Sequence, residues 1–126
     1  MKSIIYTENA PLPIGPYSQA VKAGCMLFVS GQIAIDPATN QLIEGGIEDE
    51  TKQVMQNIAA LLKASGFSFA DVVKTSIFLS DMKHFSHVNR IYGSYFQSEF
   101  PARETVAVLG LPKDVNVEIS LTAYKP

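Results

Sequence analysis

Two charged residues, Arg103 and Glu118, stand on otherwise apolar, strand-like runs in the last quarter of the sequence. The first run reads Phe100-Pro101-Ala102-Arg103-Glu104-Thr105-Val106-Ala107-Val108-Leu109-Gly110. The second reads Val115-Asn116-Val117-Glu118-Ile119-Ser120-Leu121-Thr122-Ala123-Tyr124. Lys113 and Asp114 fall between them in a turn, where water can solvate both. Arg103 and Glu118 read as buried. An ion moved from water into a sheet is destabilising by several kcal/mol unless a partner compensates. Two arrangements satisfy that condition. One is a structural ion pair, for Arg103 with Glu104 or a distant acid. The other is a site kept ready for a ligand. A guanidinium grips a carboxylate through two parallel hydrogen bonds, and a nearby carboxylate can activate a water. Together they point to proton transfer or hydrolysis on a small carboxylic acid. A charge in the middle of a strand is unusual, so Glu118 is the more telling of the two.

Other residues carry weaker signals. Gly31, in Ser30-Gly31-Gln32, interrupts an apolar strand, which marks either a bulge or the close approach of a ligand or backbone. Gly15-Pro16-Tyr17 is a rigid turn that aims an aromatic ring, or simply a turn. Asn89 lies near the apolar stripe of a helix, where a helix–sheet hydrogen bond and a pocket lining both remain open. His84 and His87 have helical spacing but no evident third ligand, so no metal site is expected. Cys25 reads as a small buried hydrophobe. No nucleophilic triad pattern and no Gly-rich phosphate loop is present.

The elements that must hold these residues follow from periodicity. Residues 1–14 read as extended and irregular, with Pro11 and Pro13 excluding helix. A short strand is expected over Ser18–Lys22, a tight turn at Ala23-Gly24, and a longer strand over Cys25–Ile35. Ile47–Ser65 is the clearest helix. Glu48, Asp49 and Glu50 complement its dipole, Val54, Ile58, Leu61 and Leu62 form its stripe, and Gly66 stops it. A strand follows over Asp71–Ser80. Asp81 then caps a second helix reaching about Gln97, with a stripe of Phe85, Val88, Tyr92, Tyr95 and Phe96. Two strands close the sequence.

This order predicts an α+β fold, one domain over residues 1–126, with two helices on one face of a single sheet. The last two strands form a hairpin, or the final one inserts between earlier strands; pattern does not choose. In the last strand Val115, Val117, Ile119, Leu121 and Ala123 would meet the helices. Asn116, Glu118, Ser120, Thr122 and Tyr124 would face away. The strand from Cys25 is apolar on both sides, which fits a subunit interface on the open face.

Composition narrows the function classes. The chain has 126 residues, 47% of them hydrophobic, enough for one folded core. Its net charge is −2 with no run of like charge, which argues against nucleic acid as a partner. One cysteine excludes an internal disulfide and fits a reducing compartment. With no signal pattern and no membrane-length apolar run, the expected location is cytoplasmic.

Five motifs, in order and in register, resemble the RidA (YjgF) family. They are Ile14-Gly15-Pro16-Tyr17-Ser18-Gln19-Ala20, Ser30-Gly31-Gln32-Ile33, Val88-Asn89-Arg90-Ile91-Tyr92, Phe100-Pro101-Ala102-Arg103 and Leu111-Pro112-Lys113-Asp114-Val115-Asn116-Val117-Glu118-Ile119. The resemblance implies a chorismate-mutase-like fold with the last strand inside a mixed sheet. It implies a homotrimer whose sheets form a central barrel, with sites between subunits, and no cofactor or metal. It implies hydrolytic deamination of reactive 2-enamino and 2-imino acids, among them 2-aminoacrylate and 2-aminocrotonate, to 2-oxoacids and ammonia. Arg103 would bind the substrate carboxylate and Glu118 would activate water. Tyr17, Ser30 and Gly31 would line the pocket, Asn89 would support it, and backbone near Gly31 and Thr105 would hold substrate or water. Many members carry Cys where Thr105 stands, which bears on substrate preference and oxidation. The competing readings are a carboxylate-binding regulator without turnover, a ribonuclease or translation inhibitor, and a chaperone.

Overall fold

A computed structural model describes residues 1–126. Its main sheet has six strands: β1 (Lys2–Ile5), β2 (Ala20–Ala23), β3 (Met26–Gln32), β6 (Val72–Leu79), β7 (Ala102–Ala107) and β8 (Val117–Tyr124). Two short strands, β4 (Ile35–Asp36) and β5 (Gln41–Leu42), make a separate ribbon. The spatial order is β1-β2-β3-β8-β6-β7. All pairings in the sheet are antiparallel except β6 with β7, so the sheet is mixed. The final strand thus inserts between β3 and β6 and forms no hairpin with β7, settling the choice that pattern left open.

Helix α1 (Ile47–Ser65) has the bounds that its periodicity predicts. Gly66 ends it at φ 80°, and the N–H groups of Gly66 and Phe67 reach back to carbonyls of the last turn. Helix α2 is shorter than expected. Asp81 caps a 3-10 turn over Met82–His84, accepting from Lys83 N at 2.8 Å, and α2 itself spans Phe85–Gly93. Tyr95 and Phe96 still pack near it, with Phe96 4.9 Å from the Tyr92 ring centroid.

The core lies between the helices and one face of the sheet. Val117, Ile119, Leu121 and Ala123 of β8 are buried there with Leu27, Val29, Ile77 and Leu79, against Val54, Ile58, Leu61 and Leu62 of α1. The alternation read from the last strand therefore holds. The opposite face carries Glu118, Ser120, Thr122 and Tyr124 beside Phe28, and no helix covers it. No helix is long and apolar enough to cross a membrane.

Three expectations are corrected. The first residues include β1, an edge strand whose side chains are mostly exposed and so lack strand patterning. The strand from Cys25 runs through a bulge and stops at Gln32, and Ile35 belongs instead to β4, paired with β5 in the separate ribbon. Cys25 is exposed rather than buried, since it sits at the tip of the β2–β3 hairpin beside Gly24, φ 60°.

Buried amides fix the segments without regular structure. Gln19, 2% exposed, accepts from Thr7 N and donates to the carbonyls of Thr7, Ala10 and Pro11. Asn57 on α1 donates to Ile33 O and Ile35 O at 3.1 and 2.9 Å. Gln19→Leu would strand these backbone groups. We expect a loss of about 2–3 kcal/mol in denaturant unfolding, with residues 7–11 becoming protease-sensitive while α1 stays protected.

Candidate active site

Glu118 projects from β8 on the face away from the helices. Its register partner on β6 is Phe78; on the other side β3 ends at Gln32, paired with Ile119, and just before that end β3 bulges between its pairs with Leu121 and Ile119. That bulge contains Gly31. A Cβ at Gly31 would lie 2.6 Å from Glu118 Oε2, so only glycine lets the carboxyl group rest against the β3 backbone. The bulge reading of Gly31 holds, and what comes close to it is a side chain, the Glu118 carboxyl group. Ser30 fixes the bulge: its Oγ donates to Ser18 O at 2.6 Å and its N–H to Gln19 O at 3.0 Å.

Around Glu118 is a cleft of 470 Å³ lined by Leu12, Ile14, Tyr17, Ser30, Gly31 and Lys113 among others. Tyr17 is half exposed on its turn, whose Tyr17 N–H donates to Gly15 O at 2.8 Å. Lys113 and Asp114 both take left-handed φ, 57° and 56°, a conformation costing about 1–2 kcal/mol per non-glycine residue. Glu118 is half buried and forms no ion pair. Burial raises its pKa above the ordinary 4.5.

Arg103 lies elsewhere. Its register partner on β6 is Thr75, which points into the core; Phe78, the partner of Glu118, is three residues on and points the other way. Arg103 and Glu118 therefore leave the sheet on opposite faces. Arg103 Nη1 donates to Asn89 Oδ1 at 2.7 Å. Its guanidinium sits 5.2 Å from the Tyr92 ring centroid and 5.8 Å from that of Phe85. Tyr92 is held in turn by a 2.8 Å hydrogen bond between its hydroxyl and Thr75 Oγ1. Asn89, Tyr92, Phe100, Pro101 and Arg103 line a second cleft of 440 Å³.

The expectation that Arg103 is buried is corrected: it is exposed, because β7 is an edge strand with little covering it. A pair with Glu104 is also excluded. Adjacent strand residues face opposite ways, and Glu104 meets Lys74 Nζ at 2.9 Å and the Ser76 hydroxyl.

One chain thus gathers Tyr17, Ser30, Gly31 and Glu118 in one cleft, and Arg103 with Asn89 in another. Thr105 lines neither. The aromatic support of Arg103 went unread in the sequence, although Phe85, Asn89 and Tyr92 share one helix face by spacing. His87, considered as a metal ligand, instead meets Glu48 at 2.9 Å. Arg90 bonds the same carboxylate, and the two hold the Glu48 pKa down at about 2.

Thr105 Oγ1 is the one buried side-chain polar atom without a hydrogen-bond partner. An unpaired buried hydroxyl is destabilising, and a methyl group of the same shape is not. Thr105→Val should raise the unfolding free energy by about 1 kcal/mol, whereas Thr105→Ser should not. A Thr105→Val protein less stable than wild type would contradict this.

The comparisons with known proteins agree with these motifs. The family described as endoribonuclease L-PSP matches residues 7–125. A RutC family protein of Pyrococcus horikoshii is 54% identical over 99% of both chains. The 2-iminobutanoate/2-iminopropanoate deaminase of Bos taurus is 48% identical over 99% of this chain and 91% of its own. A solved structure from the Rid protein family, YyfA of Yersinia pestis, superposes with a TM-score of 0.96 at 48% identity, covering 99% of this chain and 100% of that one. Its mixed sheet and helix pair are those described above. With motifs, fold and whole-length similarity in agreement, the chain belongs to the RidA (YjgF) family.

Proposed function

We propose that this chain hydrolyses 2-imino acids and their 2-enamine tautomers, such as 2-iminopropanoate and 2-iminobutanoate, to 2-oxoacids and ammonia. The observation that carries the reading is the pairing of two half-sites. Glu118, half buried and in no ion pair, stands in one cleft; Arg103, in no ion pair, stands in the other. Each lacks what the other supplies, and the sheet separates them within one chain. We therefore propose that copies of the chain assemble as a homotrimer with a central barrel, the Arg103 cleft of one copy closing on the Glu118 cleft of the next. The uncovered sheet face, with Phe28, Val106 and Tyr124 exposed on a single chain, supports such an assembly. The relative named as a deaminase supports the chemistry.

In this reading Arg103 receives the substrate carboxylate through its planar fork, while Asn89 and the rings of Phe85 and Tyr92 hold the guanidinium still. The protonated imine is already electrophilic, so positioning and one base suffice. Water adds to C2 as Glu118 takes one of its protons. A C–O bond forms and the C=N electron pair moves to nitrogen, giving a carbinolamine. Glu118 then protonates the amine. The C–N bond breaks and ammonia leaves; as the C=O bond forms, the hydroxyl proton passes to the Glu118 carboxylate and from it to ammonia, giving ammonium and restoring the base.

The test is imine loss in competition with semicarbazide, the imine being generated by an amino-acid oxidase. Wild type should accelerate it. Arg103→Ala and Glu118→Gln should each lower kcat/KM by on the order of a hundredfold or more. Binding of 2-oxobutanoate without imine hydrolysis would instead favour the regulator. A trimer should show three times the 13.7 kDa chain mass in sedimentation. Refolding the two inactive variants together in equal amounts should restore about a quarter of the sites, because some junctions then pair an intact Arg103 with an intact Glu118. Sites formed within one chain would restore none.

Glu118 also sets a pH dependence. Catalysis needs its carboxylate, so the acidic limb of kcat/KM should lie above pH 4.5, the ordinary glutamate value. Stability should run the other way. A carboxyl whose folded pKa is raised stabilises the fold below its unfolded pKa, and that contribution is lost as pH rises through the folded pKa. Glu118→Gln should therefore gain stability over wild type at neutral pH and not at pH 4. Equal stability differences at both values would contradict the desolvation of this group.

A further inference from the structure

Glu50 has a role that its position in the first turn of α1 does not disclose. Its carboxylate leaves the helix and reaches the entry of β8. Oε2 accepts from Asn116 N at 2.7 Å and from Val117 N at 3.1 Å, and Oε1 accepts from Asn116 Nδ2 at 3.1 Å. Ser80 closes the other side of Asn116: its Oγ donates to Asn116 Oδ1 at 2.8 Å and its N–H to Asn116 O at 3.0 Å. Asn116 is therefore held through its N–H, its C=O and both ends of its side-chain amide.

The next two residues are Val117 and Glu118. On the β6 side Glu118 is held by ordinary pairing with Phe78. On the β3 side Glu118 has no register partner: the last pair is Ile119 with Gln32, where β3 ends, and the bulge lies just beyond that pair. Upstream lies the left-handed pair Lys113 and Asp114, which closes no ladder of its own. Glu118 thus stands where β8 is paired on one side only, with its carboxyl group in the space that a Cβ at Gly31 would take. Two backbone N–H groups that the sheet leaves free are taken by a charged acceptor, which makes stronger bonds than a neutral one.

We propose that Glu50 is a positioning residue for Glu118: it fixes the start of β8, and through it the place of the base over the Gly31 backbone. This rests on the hydrolytic reading of the site. Glu50 touches no substrate in this scheme. Its loss should displace the base while leaving the carboxylate grip of Arg103 intact, so it acts on kcat and not on KM.

The test compares wild type with Glu50→Ala and Glu50→Gln, using 2-iminopropanoate hydrolysis per folded chain and 2-oxobutanoate binding by calorimetry. Glu50→Ala should lower kcat about tenfold or more, with KM and 2-oxobutanoate affinity within about twofold of wild type. Glu50→Gln keeps an oxygen acceptor and should recover part of the loss. A folded Glu50→Ala protein with wild-type kcat would overturn the proposal. So would a loss shared equally by kcat and ligand affinity, which a merely structural role would produce. The amide resonance of Gly31 gives a second readout that needs no turnover, because the Glu118 carboxyl group packs on it. It should shift in Glu50→Ala while the amides of Leu121 and Ala123 do not. If wild type hydrolyses no imine, the function fails by itself; an unmoved Gly31 resonance then overturns the positioning role, and a shifted one sustains the placement of Glu118.

Discussion

Strand β8 is paired along both edges, antiparallel to β3 and to β6, and most of the molecule is arranged around that placement. A strand so placed has no free edge, so every side chain must go to one face or the other. Its apolar set meets the helices and completes the core. Its polar set is committed to the opposite face, Glu118 included. A central position also explains why this carboxyl group is desolvated without being sealed off: strands flank it on both sides, yet no layer covers it. The chain meets the remaining constraint with the β3 bulge and Gly31, which make room at the one point where a side chain would collide with the carboxylate.

The same sheet separates the two charges that could act together. Arg103 and Glu118 belong to strands two places apart, yet they leave on opposite sides. The separation removes an otherwise attractive outcome, an internal salt bridge that would neutralise both. Arg103 is instead stacked by aromatic rings and bonded to a neutral amide, partners that orient a guanidinium without cancelling its charge. Glu118 is half buried and in no ion pair, and that burial raises its proton affinity. Each environment preserves reactivity in its own charge.

How much of this was legible depended on whether a residue's role was local. The bounds of α1, its glycine stop and the alternation of β8 are set by short-range pattern, and all three could be read directly. Edge strand β1 was not, because an edge exposed on both faces needs no apolar alternation. The exposure of Cys25 and Arg103 was also misread, since both depend on which strands end up at a tip or an edge. The members of the site were identifiable as residue types, but not the fact that they divide into two clefts. That division follows from a register three residues out of phase on β6, which no linear pattern encodes. Glu50 is the clearest case. Its sequence context assigns it to the helix dipole, while its carboxylate is spent on a strand that begins 67 residues later.

The central strand is also synthesised after every other strand of its sheet. Until it emerges, β3 and β6 each present an unsatisfied row of backbone donors and acceptors on the side that β8 will fill, and the apolar face of α1 lacks part of its closing layer. Such a chain has few native contacts that can form early and many that must wait, which places it among slow, topology-limited folders. During that interval the exposed strand edges are templates for pairing with other nascent chains. The burden of avoiding aggregation during biosynthesis therefore falls on the stage before β8, eight residues long, joins the sheet.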